Sequence, residues 1–178
     1  MARFATRMLR AALLDRALYE EVEADTSATW QAVGVVVLSS LAAGLGSGAR
    51  EGVGGVVLWT LVVLLGWYGW AYLTYFIGTT FLAGPQTRAD HRELLRTLGF
   101  SSAPGVLRLL GIIPGLTVVV FGVVNVWMLV AMVVAVRQAL DYTSMGRALG
   151  VCIIGWFIVL VLILLLAPSL AGDLLRGR

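Results

Sequence analysis

The sequence predicts an all-α, polytopic membrane protein, and three observations carry that prediction. Of its 178 residues, 60% are hydrophobic and only 13% charged, with a mean hydropathy of +0.93. Soluble domains are about 45–50% apolar and about 25% charged. The apolar residues also fall in long runs, separated by short stretches that hold nearly all the charge. None of the ten acidic residues lies in the middle of such a run. This length accommodates about four to six spans of roughly 20 residues. We expect five transmembrane helices, over 30–46, 53–77, 98–113, 116–139 and 147–167. An amphipathic cytoplasmic arm over 1–29 precedes them, and 30–178 forms a single transmembrane domain.

The arm reads as helix from Arg3 to Glu23. At 100° per residue, Phe4, Met8, Ala11, Leu14, Leu18 and Val22 share one side, while Arg10, Arg16, Glu20 and Glu23 lie elsewhere. Leu9 and Leu13 fall off the stripe. The pattern suits a helix in the membrane interface, or one packed on the protein's own cytoplasmic surface. Asp25, Thr26 and Ser27 then offer capping oxygens. The first span opens on Trp30, an amphipathic ring suited to headgroup level. Ser40, Gly44 and Gly48 are four apart, a spacing that lets another helix come close.

Gly46 to Gly54 reads as a turn. The second span ends in Trp67, Tyr68, Trp70, Tyr72, Tyr75 and Phe76, which suit an interfacial belt. The alternative is a surface for a flat lipophilic ligand such as a quinone, carotenoid or chlorin. Thr87 to Phe100 is polar and helical in pattern. Arg88, Arg92 and Arg96 stand at i, i+4 and i+8 as a basic ridge, with His91, Leu94, Leu95 and Leu98 opposite. Such a helix rests on an anionic membrane face or a partner, or is an ordinary solvated loop helix.

Ser101 to Ile113 is a short apolar piece interrupted by Pro104, Gly105 and Arg108. At 1.5 Å per residue it reaches roughly 20 Å, short of the roughly 30 Å hydrocarbon core. It either borrows residues from Leu94 onward or is re-entrant. Arg137 and Asp141 close the fourth span. Gly146 and Gly150 repeat the small-residue spacing in the last span, which Pro168 ends.

All 13 basic residues are arginine. With five spans and an internal N-terminus, ten of them, Arg108 included, count as cytoplasmic and three as external. That asymmetry predicts a cytoplasmic N-terminus. The arginines are divided among the loops, which favours lipid headgroups over nucleic acid as their partner.

Chemistry is hard to assemble from what remains. His91 is the only histidine and Cys152 the only cysteine, so neither a histidine cluster nor a thiolate metal site is possible. We expect no catalytic residue, no metal and no cofactor. His91, with Trp67 and Trp70, is the candidate for contact with a bound pigment. Cys152 reads as inert packing. Asn125 is an amide deep in a span, suited to bonding a neighbouring helix. Gly52, Gly54 and Gly55 have no following lysine and no preceding strand, which excludes a phosphate loop.

Three stretches together resemble the Yip domain family of Ypt/Rab-interacting membrane proteins, in a small prokaryotic form. They are LLDRALYEEVEADTSATWQAV, ELLRTLGFSSAPGVLRLLGIIPGL and VWMLVAMVVAVRQALDYT. The resemblance implies five spans, a cytoplasmic N-terminus and a C-terminus on the far side. The aspartate-leucine-tyrosine-glycine-proline motif of the eukaryotic branch is absent, so Rab binding is not implied. The function expected is a non-enzymatic scaffold in a prokaryotic cytoplasmic membrane, binding other integral membrane proteins or anionic lipid. Alternatives are an accessory subunit of a respiratory or photosynthetic complex, or a passive small-molecule channel or transporter.

Overall fold

The computed structural model describes the backbone of residues 2–47 and 52–176, and the side chains of residues 3–47 and 54–165. Every regular element among them is helical: α1 (Ala2–Ala12), α2 (Arg16–Ala24), α3 (Ala28–Gly46), α4 (Gly52–Thr80), α5 (His91–Ser101), a 3-10 helix (Ala103–Ile112), α6 (Thr117–Ala139) and α7 (Met145–Arg176). Four helices are long and apolar enough to cross a membrane: Ala28–Gly46, Gly54–Thr80, Thr117–Ala139 and Met145–Leu165. They correspond to four of the five expected spans.

The expected third span, 98–113, takes another form. Its first part belongs to α5, which starts only at His91. There Asp90 and Glu93 form a reciprocal capping box, so residues 87–90 stay outside the helix. After Ser102 the chain continues as ten residues of 3-10 helix, with Pro104 in its first turn. Runs of 3-10 helix longer than three or four residues are uncommon. Here the tighter winding has a packing reason. At three residues per turn, Gly105, Arg108 and Gly111 stack in one row, and all three meet α3.

The contact is too close for side chains. A Cβ on Gly99 would lie 2.6 Å from that of Ala32, and one on Gly111 would lie 2.8 Å from the Gly46 carbonyl oxygen. A Cβ on Gly105 would overlap Ser39 Oγ, and one on Gly46 would overlap the Arg108 carbonyl. Ala32, Ser39 and Gly46 recur every seven residues, so one face of α3 carries the whole seam. Small residues at such a seam replace side-chain interdigitation with backbone contact. The seam also fixes direction. Rising along α3 from Ala32 to Gly46, about 21 Å at 1.5 Å per residue, the partner advances from Gly99 to Gly111. That requires about 1.75 Å per residue, between the α and 3-10 rises. Residues 91–112 therefore form a rod running parallel to α3.

This rod is the centre of the molecule. Leu94 to Ser101 are all buried, as are Ala103, Pro104 and Gly105. α3, α4 and α6 pack around it, α2 crosses its start, and α1 lies against its 3-10 part. α7 packs outside, on α4 and α6. Most of α4 faces outward, including Leu58, Trp59, Leu65, Tyr68 and Tyr72. Tyr142, in the turn between α6 and α7, donates its hydroxyl to the Gly78 carbonyl at 2.8 Å and so ties that turn to the end of α4.

Three expectations need correction. The arm is two helices, because Leu14 takes a left-handed φ of 61° and Asp15 caps α2 with its side chain. Pro168 does not end the last helix, whose backbone stays helical to Arg176. A proline removes one backbone donor, and in apolar surroundings the neighbouring helical bonds have no water to compete with them. Ser27 precedes α3 without a side-chain cap bond; Asp25 instead accepts from both the Ser27 amide and hydroxyl.

Substitution of seam glycines should be costly and of outward glycines cheap. Gly105→Val should lower the thermal midpoint of the detergent-purified protein by about 2–12 °C, since overpacking costs about 1–3 kcal/mol and 1 kcal/mol shifts a domain of this size by about 2–4 °C. Gly66→Ala, with nothing within 4 Å of its Cβ position, should leave the midpoint unchanged or slightly raised.

Candidate functional site at the arm end of the bundle

The start of α3, the arm and the start of α5 converge at one end. Arg7 organises it. This side chain is 2% exposed. Its Nε donates to Glu21 Oε1 at 2.9 Å, Nη1 to Gln31 Oε1 at 3.1 Å and Nη2 to Asp25 Oδ2 at 2.8 Å. One guanidinium thus joins α1 to the end of α2 and the start of α3, using the fork geometry a lysine lacks. Arg10 extends the network to Asp15 and Glu21, both at 2.7 Å. The Arg7 and Arg10 guanidinium groups hold Glu21 below the usual carboxylate range. The Ser27 hydroxyl, then Arg7, hold Asp25 down at about 2.

Arg96 forms the second clamp. Its Nε donates to the Val22 carbonyl at 2.9 Å and its Nη2 to that of Glu23. These are the unsatisfied carbonyls at the C-terminus of α2, where a cation is favoured. The Glu23 carboxyl nearby is pushed up to about 7, chiefly by burial, then by Glu93, Asp141 and Glu20, with Arg96 opposing. Trp127 donates from Nε1 to the Ala12 carbonyl at 2.8 Å, and Phe4 packs on Gly34, so α1 lies along the flank of the bundle.

The structure divides the expected basic ridge. Arg96 is 4% exposed and turned inward, because its column on α5 faces α2. Arg88 precedes the helix. Arg88 and Arg92 remain exposed, with Arg3 and Arg16 on the arm. Leu9, Leu13 and Trp30 are exposed beside them, so the two leucines off the apolar stripe face out because the other side of α1 is already covered by protein.

His91 sits among tyrosines of the C-terminal half of α4. The rings of Tyr68, Tyr72 and Tyr75 meet it edge-on at 5.1, 5.5 and 6.4 Å. Both imidazole nitrogens are buried without a hydrogen-bond partner. A metal at the centre of a macrocycle needs an open nitrogen, which this packing does not present. Trp70 packs against Trp156 and Gly155, and Trp67 against the core. Cys152 is buried. Among the described residues no group of three or more His, Cys, Asp or Glu is placed to hold a metal.

The helix-packing residues separate likewise. Ser40 is buried and donates to the Val36 carbonyl at 2.6 Å, while Gly44 opens on a groove beside Val56. Gly48 lies outside the described residues. Gly150 touches Leu82, and Gly146 meets only nearby Ser144. The close approach on α7 is instead at Gly155. Asn125 accepts a hydrogen bond from Arg108. Arg7, the Asp90–Glu93 box and Arg108 are the residues that sequence reasoning passed over. The acidic block Glu20–Asp25 opposite Arg7, and the D-x-x-E spacing, were the available signals.

The profile of the Yip1 domain matches residues 15–166, which covers α2, the Arg96 clamp and the bundle from α3 into α7, while α1 with Arg7 and Arg10 precedes the matched stretch. The chain belongs to the Yip1 domain family. Comparison with curated proteins and with solved structures gives no match.

The raised carboxyl gives a test. An acid whose folded pKa lies above its unfolded value near 4.3 makes folding less favourable as pH rises from there to about 7. Glu23→Gln should therefore raise the thermal midpoint at pH 8 by a few degrees, corresponding to about 1 kcal/mol after solvent screening. The difference should vanish at pH 4.5. Equal midpoints at both pH values would remove the assignment.

Proposed function

We propose that this Yip1-family protein is a non-enzymatic membrane protein whose arm end binds anionic lipid, and through it or beside it other membrane proteins. The observation that carries the reading is the division of labour among arginines. Arg7 and Arg96 are consumed in fixing the arm, while Arg3, Arg16, Arg88 and Arg92 stay exposed around it. Exposed Leu9, Leu13 and Trp30 give that face an apolar component beside its charge. A basic rim with adjacent apolar side chains is the design of an interfacial element, guanidinium groups at phosphate level and leucines below.

A five-span topology accompanies this reading. The 11 residues of α5 and the 10 of the 3-10 helix extend along the rod by about 36 Å, more than the roughly 30 Å core. The rod runs beside α3, itself a candidate span, from Gly99 at Ala32 to Gly111 at Gly46. With the rod as third span, Arg108 moves to the far end. Nine of the 13 arginines then lie at the arm end by chain position, which supports a cytoplasmic N-terminus.

Spin-labelled lipid tests the lipid reading. In vesicles, the protein should restrict anionic lipid in preference to zwitterionic lipid, and salt should weaken the preference, because exposed charges are screened over about 8 Å at physiological ionic strength. The combined variant Arg16→Gln, Arg88→Gln and Arg92→Gln should lower that preference at least severalfold, because each basic side chain near an anionic surface adds to the attraction. An unchanged preference would refute the proposal.

A further inference from the structure

The opposite end of the bundle holds a second feature, independent of the basic arm. A groove of about 690 Å³ opens between α3, α4, the 3-10 helix and α6. Its size falls in the range of about 300–1,000 Å³ usual for small-molecule sites. Valines 36, 56 and 63 make one wall, Ser40 and Ser47 face it, and Arg108 stands in it.

Arg108 is unusually placed. Its backbone meets Gly46, at the far end of α3 from the arm. A long cationic side chain near the edge of an apolar region ordinarily extends toward water. This one crosses to α6, where it donates to Asn125 and lies with Cζ 5.7 Å from the centre of the Phe121 ring. Since α6 runs back toward the arm, Asn125 is one helical turn deeper than Phe121. The partly buried guanidinium is thus directed along the groove toward the middle of α6. Its Nε is buried with no acceptor. Among the described residues, no carboxylate lines the groove and none forms an ion pair with Arg108. An ionised side chain within a membrane segment normally has a partner, and here the described residues supply one neutral amide and one aromatic face.

An anion would complete these contacts, and the walls say what would accompany it. The valine surface suits a hydrocarbon chain. The hydroxyls of Ser40 and Ser47 already donate to the Val36 and Gly44 carbonyls, so their remaining lone pairs accept, as a hydroxylated headgroup would require. We propose that this groove binds one anionic phospholipid from the leaflet opposite the arm, its phosphate on Arg108 and an acyl chain along Val36, Val56 and Val63.

Native mass spectrometry of the full-length protein, extracted in mild detergent at high salt, tests this. The parent should retain one phosphatidylglycerol per chain, and added phosphatidylcholine should not replace it. Arg108→Gln should weaken retention at least tenfold. Gly44→Leu should do the same with Arg108 intact, because a Cβ at Gly44 meets only Val56 at 3.9 Å and the longer side chain fills the groove without disturbing the seam. Should Arg108→Gln fail to fold, Gly44→Leu decides. Arg88→Gln with Arg92→Gln should leave this lipid in place, which separates the groove from the arm face. Retention by either folded groove variant would overturn the proposal. So would equal retention of phosphatidylcholine, or displacement by inorganic phosphate alone.

Discussion

The backbone seam between α3 and the central rod is the constraint on which the rest of this structure depends. In hydrocarbon, helices gain little by hiding apolar side chains from one another, because lipid is equally apolar. Close approach is the remaining source of attraction, and it requires small residues at the contact, with glycine on at least one side. Ala32, Ser39 and Gly46 provide one edge, and Gly99, Gly105 and Gly111 provide the other. The 3-10 winding follows from that need. An α-helix would carry Gly105, Arg108 and Gly111 around its surface; three residues per turn aligns them.

Both ends of the molecule are set by this seam. At one end it brings the start of α5 beside α2, so that Arg96 reaches the Val22 carbonyl and helps fix the arm. At the other it places Arg108 at Gly46, with its side chain committed inward to Asn125. The arginines at these two ends accordingly play three parts: buried clamps, exposed rim and a partly buried cation in the groove. Residue type alone does not distinguish them. What distinguishes them is which carbonyls, carboxylates or empty space each guanidinium meets.

Much of the fold was legible in the sequence because membrane spans are written in composition. Trp30, Arg137 and the apolar runs between them marked α3, α4 and α6 to within a few residues. The rod was not legible, since helical periodicity assumes 3.6 residues per turn and the glycines of residues 99–111 follow no such period. Pro104 and Arg108 looked like interruptions, yet they sit within a continuous 3-10 element. The basic ridge misled for a related reason. Arg88, Arg92 and Arg96 share a face only if the helix begins before Arg88, and the Asp90–Glu93 box starts it later. Leu9 and Leu13 looked like defects in an amphipathic pattern until the covered side of α1 was known.

We propose that the rod crosses from one side of the membrane to the other in the direction of α3. Single cysteines at Gln86 and Ile113, in a Cys152→Ser background, test it with a membrane-impermeant maleimide applied to sealed vesicles of known orientation. The account predicts labelling of residue 86 only from the side that holds the N-terminus, and of residue 113 only from the opposite side. Labelling of both from the same side would contradict it.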